Sequence, residues 1–115
     1  MKENVVKNKS FDFSLSIIEL YKKLQKQREF VISKQLLRSA TSIGANIAES
    51  EASESRADFV HKLSIASKEA RETLYWLKLL ERSSLTDIKV NEYIEKCDEI
   101  IRLLTSIVKT IKMKN

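Results

Sequence analysis

The chain has 115 residues with a net charge of +5, and it contains one glycine, one cysteine and no proline. This composition lacks the turn residues that β-hairpins need, so it excludes a hairpin-rich sheet protein and favours one all-α domain with long helices. No stretch approaches the ~20 apolar residues that cross a bilayer, and Cys97 cannot form an internal disulfide. We therefore expect a cytoplasmic protein without membrane contact.

Hydrophobic spacing predicts four helices in chain order. Residues 1–9 are expected to be a flexible basic arm, residues 10–112 the helical domain and residues 113–115 a flexible tail. The first helix is predicted to begin near Ser10 or Asp12 and to end near Gln27, and the second is predicted from about Val31 to Ser50. The third begins after a Ser55 cap and ends near Arg82, and the fourth is capped by Thr86 or Asp87 and ends near Lys112.

Each predicted helix carries an apolar stripe that identifies its core face. The short connections favour antiparallel neighbours, so we expect an up-down-up-down four-helix bundle. The stripes are Phe13, Ile17, Leu20, Tyr21 and Leu24; Ile32, Leu36, Ala40, Ile43 and Ile47; Phe59, Leu63, Ala66, Ala70, Leu77 and Leu80; and Val90, Ile94, Cys97, Ile101, Leu104, Val108 and Ile111.

The only glycine, Gly44, lies inside the second helix, where it costs roughly 0.5–1 kcal/mol relative to alanine. With Ala40 and Ala48 it forms a row of small residues. We expect this row to allow close helix packing within the bundle or between subunits.

The segment from Leu74 to Leu80 presents apolar side chains almost all round its helix, more than one bundle core can cover. Partial exposure of single residues is one explanation. Burial of Tyr75, Trp76 and Leu79 against another subunit is the one we favour, so a homo-oligomer is predicted.

The positive charge is unevenly distributed. Residues 1–46 contain nine Lys or Arg against four Asp or Glu, whereas residues 47–115 contain twelve of each. Ordinary solubility is one explanation, and binding of an anionic partner is the other. For nucleic acid, the candidate residues lie at one end of the predicted bundle, with a further contribution from lysines near the termini such as Lys2, Lys7 and Lys9. The candidates are Lys22, Lys23, Lys26, Arg28, Lys34 and Arg38.

Little in the sequence indicates catalysis. Ser42, Asn46, Glu49 and Ser53 form a polar stripe on the second helix, which facing residues such as Arg71 or Arg38 are expected to satisfy. His61 is expected on the surface, and Cys97 is expected to fill the core. No metal, cofactor or enzymatic activity is predicted.

Several ordered motifs together resemble the four-helix bundle protein family, also called the 23S rRNA intervening-sequence protein family. They are Lys9-Ser10-Phe11, Leu20-Tyr21-Lys22, Arg38-Ser39, the run from Ser42 to Glu49, the run from Ser55 to Phe59, Ala70-Arg71-Glu72-Thr73 and Tyr75-Trp76-Leu77. The resemblance covers about residues 9–112. One difference is Ser50, where the family usually has glycine or alanine.

This resemblance implies an antiparallel four-helix bundle that assembles as a ring, a homopentamer. Some members are encoded within insertions in ribosomal RNA genes. A related group looks like the accessory subunit that partners the reverse transcriptase of diversity-generating retroelements.

Two functions follow as hypotheses. The first is a non-enzymatic, homo-oligomeric protein that binds RNA or DNA through phosphates and shape, with RNA or a retroelement ribonucleoprotein as the target. The alternative is a scaffold or adaptor that contacts proteins and no nucleic acid.

Overall fold

A computed structural model describes residues 1–114 of the chain. Over this range it contains four helices and no strand, which confirms the all-α prediction. The helices are α1 (Lys2–Lys26), α2 (Ile32–Ser50), α3 (Arg56–Arg82) and α4 (Asn91–Met113). None of them is both long and apolar enough to span a membrane.

Helix α1 begins much earlier than the sequence predicted. The segment expected to be a flexible arm is helical from Lys2. Val6 is only 1% exposed and Ser10 is also buried, and the Lys2 ammonium donates to Ser106 Oγ at 2.6 Å. The expectation of an arm was wrong because these buried residues continue the inward face of α1 between exposed lysines and asparagines. At the other terminus α4 includes Met113, so the predicted tail is also shorter, and Asn115 lies outside the described residues.

Each helix packs against two others, in the pairs α1–α2, α2–α3, α3–α4 and α1–α4. Between α2 and α3 the paired residues run in opposite order along the chain. Ser39 and Thr73 hydroxyls lie 2.8 Å apart between α2 and α3, and Glu49 pairs with Lys62 further along. The four helices enclose a single elongated core.

The core stripes of the first three helices were largely predicted correctly. Tyr21, Ile32 and Phe59 lie at the core edge, half-buried, and Val6 and Thr73 are added to the core. Thr73 was missed because its buried hydroxyl is satisfied locally, by donation to the Glu69 carbonyl at 2.8 Å.

The stripe predicted on α4 is displaced. Cys97 and Leu104 are buried as expected, but Ile100 and Ile107 complete the core face. Four predicted members are only half-buried: Ile94, Ile101, Val108 and Ile111. The helix has two adjacent apolar rows, and periodicity alone does not determine which row points inward.

The predicted start of α3 is confirmed and that of α4 is wrong. Ser55 caps α3 as expected, with its hydroxyl accepting from the Asp58 amide at 3.0 Å. Helix α4 starts at Asn91 after Val90, so the predicted caps Thr86 and Asp87 were wrong. Both side chains instead bind Gln27 at the end of α1.

Helix α1 passes close to α2 at Gly44. A Cβ atom at Gly44 would lie 3.2 Å from Ser14 Oγ and 3.5 Å from the Ser10 carbonyl oxygen. Beside it, Ser14 Oγ donates to the Ala40 carbonyl at 3.4 Å. Ala40 is fully buried here, whereas Ala48 is exposed.

Candidate nucleic-acid interface

The candidate interface is centred on the connection between α1 and α2. Helix α1 ends with two backbone hydrogen bonds that close its last turn, from Glu29 to Leu24 at 2.9 Å and from Arg28 to Gln25 at 2.9 Å. In this Schellman arrangement the residue after the cap is left-handed and is usually glycine. Here it is Arg28, with φ of 64°.

Glu29 supplies the missing cap of α2. One of its carboxylate oxygens accepts from the amides of Val31 and Ile32, and the other accepts from the Ser33 amide at 2.6 Å. Glu29 is only 7% exposed. Its negative charge therefore interacts with the positive end of the α2 dipole and is largely shielded from solvent.

The α3–α4 connection lies against the same end of the molecule. Gln27 donates through Nε2 to Asp87 at 3.3 Å, and its Oε1 accepts from the Thr86 hydroxyl at 2.6 Å. Exposed cations of the neighbouring segments include Lys78, Arg82 and Lys89. We call this end of the molecule, formed by the two connections and the adjoining helix termini, the basic end.

The six basic residues predicted for nucleic acid are all exposed, but they differ in their ion pairs. Lys22 pairs with Glu19 at 3.0 Å. Arg38 pairs with Glu69 at 3.2 Å and also with Glu72. The other four form no ion pair within residues 1–114, and we call them the basic cluster: Lys23, Lys26, Arg28 and Lys34.

The lysines near the start of α1 have partners. Lys7 pairs with Glu51 at 2.7 Å, and Lys9 pairs with Glu99 at 3.3 Å. The expectation that these lysines add freely available charge from a flexible arm was therefore wrong. The two ends of the molecule differ because Glu51, which directly follows α2, and Glu99 of α4 reach the lysines near the start of α1, whereas no carboxylate pairs with the basic cluster within residues 1–114.

Two members of the basic cluster occupy positions that are unfavourable for folding. Arg28 adopts a left-handed conformation, which costs a non-glycine residue about 1 kcal/mol or more. Lys34 lies in the first turn of α2, which has no acidic residue, beside the positive end of the helix dipole. Local rules are most often broken where a protein uses a residue for function.

Three residues of the predicted polar stripe, Ser42, Asn46 and Glu49, find partners other than those predicted, whereas the buried Ser53 hydroxyl has no hydrogen-bond partner within residues 1–114. Asn46 Nδ2 donates to the carbonyl and the hydroxyl of Ser42 on its own helix, at 2.9 and 3.2 Å. Glu49 accepts from Lys62 on α3 at 3.2 Å. The proposed partners Arg71 and Arg38 do not contribute, since Arg38 contacts the carboxylates of α3 and Arg71 is exposed.

The residues predicted for subunit contact fall into two groups. Tyr75 is 57% exposed on α3. Trp76 and Leu79 are half-buried, and the Trp76 indole donates to Glu72 at 2.9 Å. The Tyr75 ring packs edge-on against Trp76, with 5.2 Å between ring centroids. Tyr75 is thus the most accessible of the three.

His61 is exposed and Cys97 is buried, as predicted. Burial, with a smaller contribution from the charge of Asp98, raises the pKa of the Cys97 thiol to about 12. The thiol lies 3.2 Å from the Ala70 carbonyl oxygen, to which it donates. Within residues 1–114 no group of three or more metal-binding side chains comes together.

Two residues of the interface were not predicted from the sequence. Glu29 was counted only among the four acidic residues of residues 1–46, although an acid just before a helix start is a recognisable capping signal. Phe30, which follows it, is 52% exposed at the basic end. Its exposure has no sequence signal, since it depends on how the connection folds.

Comparisons with known proteins point to one family. The family model described as 23S rRNA-intervening sequence protein matches residues 2–106. A crystal structure from Bacteroides thetaiotaomicron, of a protein with unknown function from the S23 ribosomal protein family, is 53% identical in sequence. It superposes with a TM-score of 0.88, and the match covers 95% of this chain and 99% of that one. No curated protein matches the chain.

Proposed function

The chain belongs to the 23S rRNA-intervening sequence protein family, and from this membership and the basic cluster we propose that it is a non-enzymatic RNA-binding protein. In this proposal the helices form an up-down-up-down bundle that assembles into a ring-shaped homo-oligomer. The basic end contacts the phosphates of RNA, either alone or within a retroelement ribonucleoprotein. Recognition relies on charge and shape.

The observation that carries the proposal is the placement of Arg28 and Lys34. Each sits where the local backbone favours another residue, and both are exposed at the same end of the molecule. A need for positive charge at this end explains both exceptions, whereas a need for solubility alone is met by a lysine at any exposed position.

A salt titration of RNA binding tests the proposal. Each phosphate contact to a single strand contributes about −0.7 to the slope of log affinity against log salt concentration. We expect Lys26→Gln/Lys34→Gln to weaken binding and to make this slope less negative by about 1.4. The matched control is Lys7→Gln/Lys9→Gln, which removes two lysines that already pair with carboxylates.

The control double variant should retain most of the wild-type affinity. Equal losses in the two double variants would show that net charge alone determines binding. An absence of RNA binding near 50 mM salt, or binding without salt dependence, would remove the proposal altogether.

A scaffold that binds another protein is the second candidate, and exposed apolar residues on α1 favour it. Phe11 is 66% exposed and Leu15 is 49% exposed, one turn apart. If the protein is such a scaffold, a stoichiometric protein partner should remain bound to it after nuclease treatment. Its binding is lost in Phe11→Ser/Leu15→Ser and retained in Lys26→Gln/Lys34→Gln.

A further inference from the structure

Phe30 is a large apolar side chain presented at the basic end. It is 52% exposed, between the left-handed Arg28 and the first turn of α2. Its neighbour Val31 is 72% exposed, and Leu85 of the α3–α4 connection is 51% exposed. The basic end therefore combines positive charge with apolar surface.

The backbone that carries Phe30 is firmly held. On one side the Glu29 carbonyl accepts from the Ser33 hydroxyl at 2.7 Å and from Gln25 Nε2 at 3.3 Å. On the other side the Glu29 carboxylate accepts from the Val31 amide at 3.1 Å. Because these bonds fix the chain before and after it, the ring is displayed by an ordered connection, and little backbone entropy is lost when a ligand covers it.

A flat apolar ring among cations matches the chemistry of an unpaired nucleotide, which has an aromatic face and a phosphate. Aromatic side chains in positively charged surfaces bind single strands by stacking on their bases. In a duplex the base faces are already stacked on one another and are inaccessible to such a ring. The charge of the basic cluster selects this ligand over a neutral apolar peptide.

We propose that Phe30 stacks on a base of single-stranded RNA while the basic cluster contacts the flanking phosphates. This inference rests on the proposed RNA-binding function and narrows its substrate to unpaired segments such as loops and ends. Phe30 is thus a base-binding residue, and Arg28 and Lys34 are phosphate contacts on either side of it.

Binding of a single-stranded RNA and of an RNA duplex of equal length, measured with Phe30→Ala, tests the inference. We expect the variant to lose roughly five- to a hundredfold in affinity for the single strand, as stacking of one base is lost. Affinity for the duplex and the salt slope for the single strand should stay at their wild-type values. Phe30→Trp should retain single-strand binding, and stacking should quench its added fluorescence, whereas Phe30→Leu should behave like Phe30→Ala.

The matched control is Phe11→Ala, because Phe11 is exposed on α1 near lysines that have carboxylate partners. It should leave single-strand affinity unchanged. Wild-type affinity in Phe30→Ala overturns the stacking while the proposed function stands, and so do equal losses for single strand and duplex. A change in oligomer mass in Phe30→Ala overturns it in favour of a subunit contact. If the wild-type protein binds neither RNA, the proposed function itself fails.

Discussion

At Gly44 the distance between α1 and α2 limits the size of the side chain. We expect Gly44→Leu to lower the free energy of unfolding by about 1–3 kcal/mol, because a large side chain has to displace α1. Gly44→Ala should change it by less than about 0.5 kcal/mol, since better helix propensity offsets the tight 3.2 Å contact with Ser14 Oγ. Urea denaturation measures both.

Ala45→Leu is the control for this prediction, as Ala45 is the next residue of α2 and is exposed. It should leave stability within about 0.5 kcal/mol of wild type. Equal destabilisation in the two leucine variants would contradict a specific role for Gly44. The sequence predicted that another backbone passes close to Gly44, but only the structure shows that Ser10 and Ser14 of α1 are the residues that lie against it.

Cys97 gives the molecule a pH-dependent stability. Burial raises the pKa of its thiol from 9.0 to about 12, so above pH 9 the unfolded chain releases a proton that the folded protein keeps. This contribution to stability is complete below pH 9 and is lost as the pH rises towards 12. We expect the loss of stability between pH 8 and pH 10 to be about 1 kcal/mol larger in wild type than in Cys97→Ala.

The comparison with Cys97→Ala removes the effect of other groups that titrate over the same range, because they are common to both proteins. Parallel stability curves for the two proteins would show that the thiol is accessible to solvent or ionises in the fold. The sequence predicted a buried cysteine from its place on the α4 stripe, and burial is the main cause of the raised pKa.

Among the helices, α2 depends on a carboxylate outside its own span. Three amides at its start bind Glu29, so we expect Glu29→Ala to cost about 1–2 kcal/mol of stability. Glu29→Gln keeps one acceptor oxygen and should be intermediate. The exposed Glu54, before α3, is the control, and Glu54→Ala should be nearly neutral in the same denaturation experiment. Similar losses at both positions would argue against the cap.

At Arg28, which follows the cap of α1, a change to glycine should raise the stability of the fold and weaken RNA binding. Arg28→Gly should raise the free energy of unfolding by about 0.5–1 kcal/mol, because glycine adopts the left-handed conformation without strain. The same variant should bind RNA more weakly, since it removes a cation. Arg28→Ala removes the same charge but keeps a Cβ atom, so it should weaken binding without the gain in stability.

These two measurements are independent, so each can fail separately. Unchanged RNA affinity in both variants would remove Arg28 from the interface. Equal stabilities of the glycine and alanine variants would show that the left-handed conformation is not strained.

The periodic spacing of the apolar residues was enough to predict four helices, since each has a continuous inward row. It was not enough for their ends. The start of α1 was missed because two adjacent valines, Val5 and Val6, are the only apolar residues between Lys2 and Ser10. Thr86 and Asp87 resemble caps but bind Gln27 across the fold. A local sequence pattern reflects the preference of its own segment, whereas the burial and contacts of these side chains are determined by a neighbouring segment.

The sequence predicted which cations belong to the candidate site, but it did not predict which of them pair with carboxylates. Counting charges identified the excess of cations, and six were selected from it. Whether a cation is neutralised depends on the adjacent helix, which gives Arg38 two carboxylates and leaves Lys26 and Lys34 without any within residues 1–114. Phe30 was missed for the same reason, because its exposure follows from the three-dimensional path of the connection.

For the whole molecule, assembly is the property that the proposed function requires. Tyr75 is 57% exposed beside the half-buried Trp76, on the segment predicted to contact another subunit. We expect wild-type protein to be oligomeric in light scattering at micromolar concentration. Tyr75→Glu should dissociate it by placing a charge in the contact, and His61→Glu, at an exposed position of the same helix, should not.

Assembly also determines how steeply RNA binding depends on salt. One subunit with the four cations of the basic cluster accounts for a slope of only about −2.8 on a single strand, at 0.7 for each contact. A ring presents several such clusters to one RNA, so we expect the wild-type slope to exceed this value. Dissociated Tyr75→Glu should return to the single-subunit slope while its cluster remains intact. A steep slope that persists in the dissociated variant would place additional phosphate contacts within one subunit, and the ring would not be needed to explain binding.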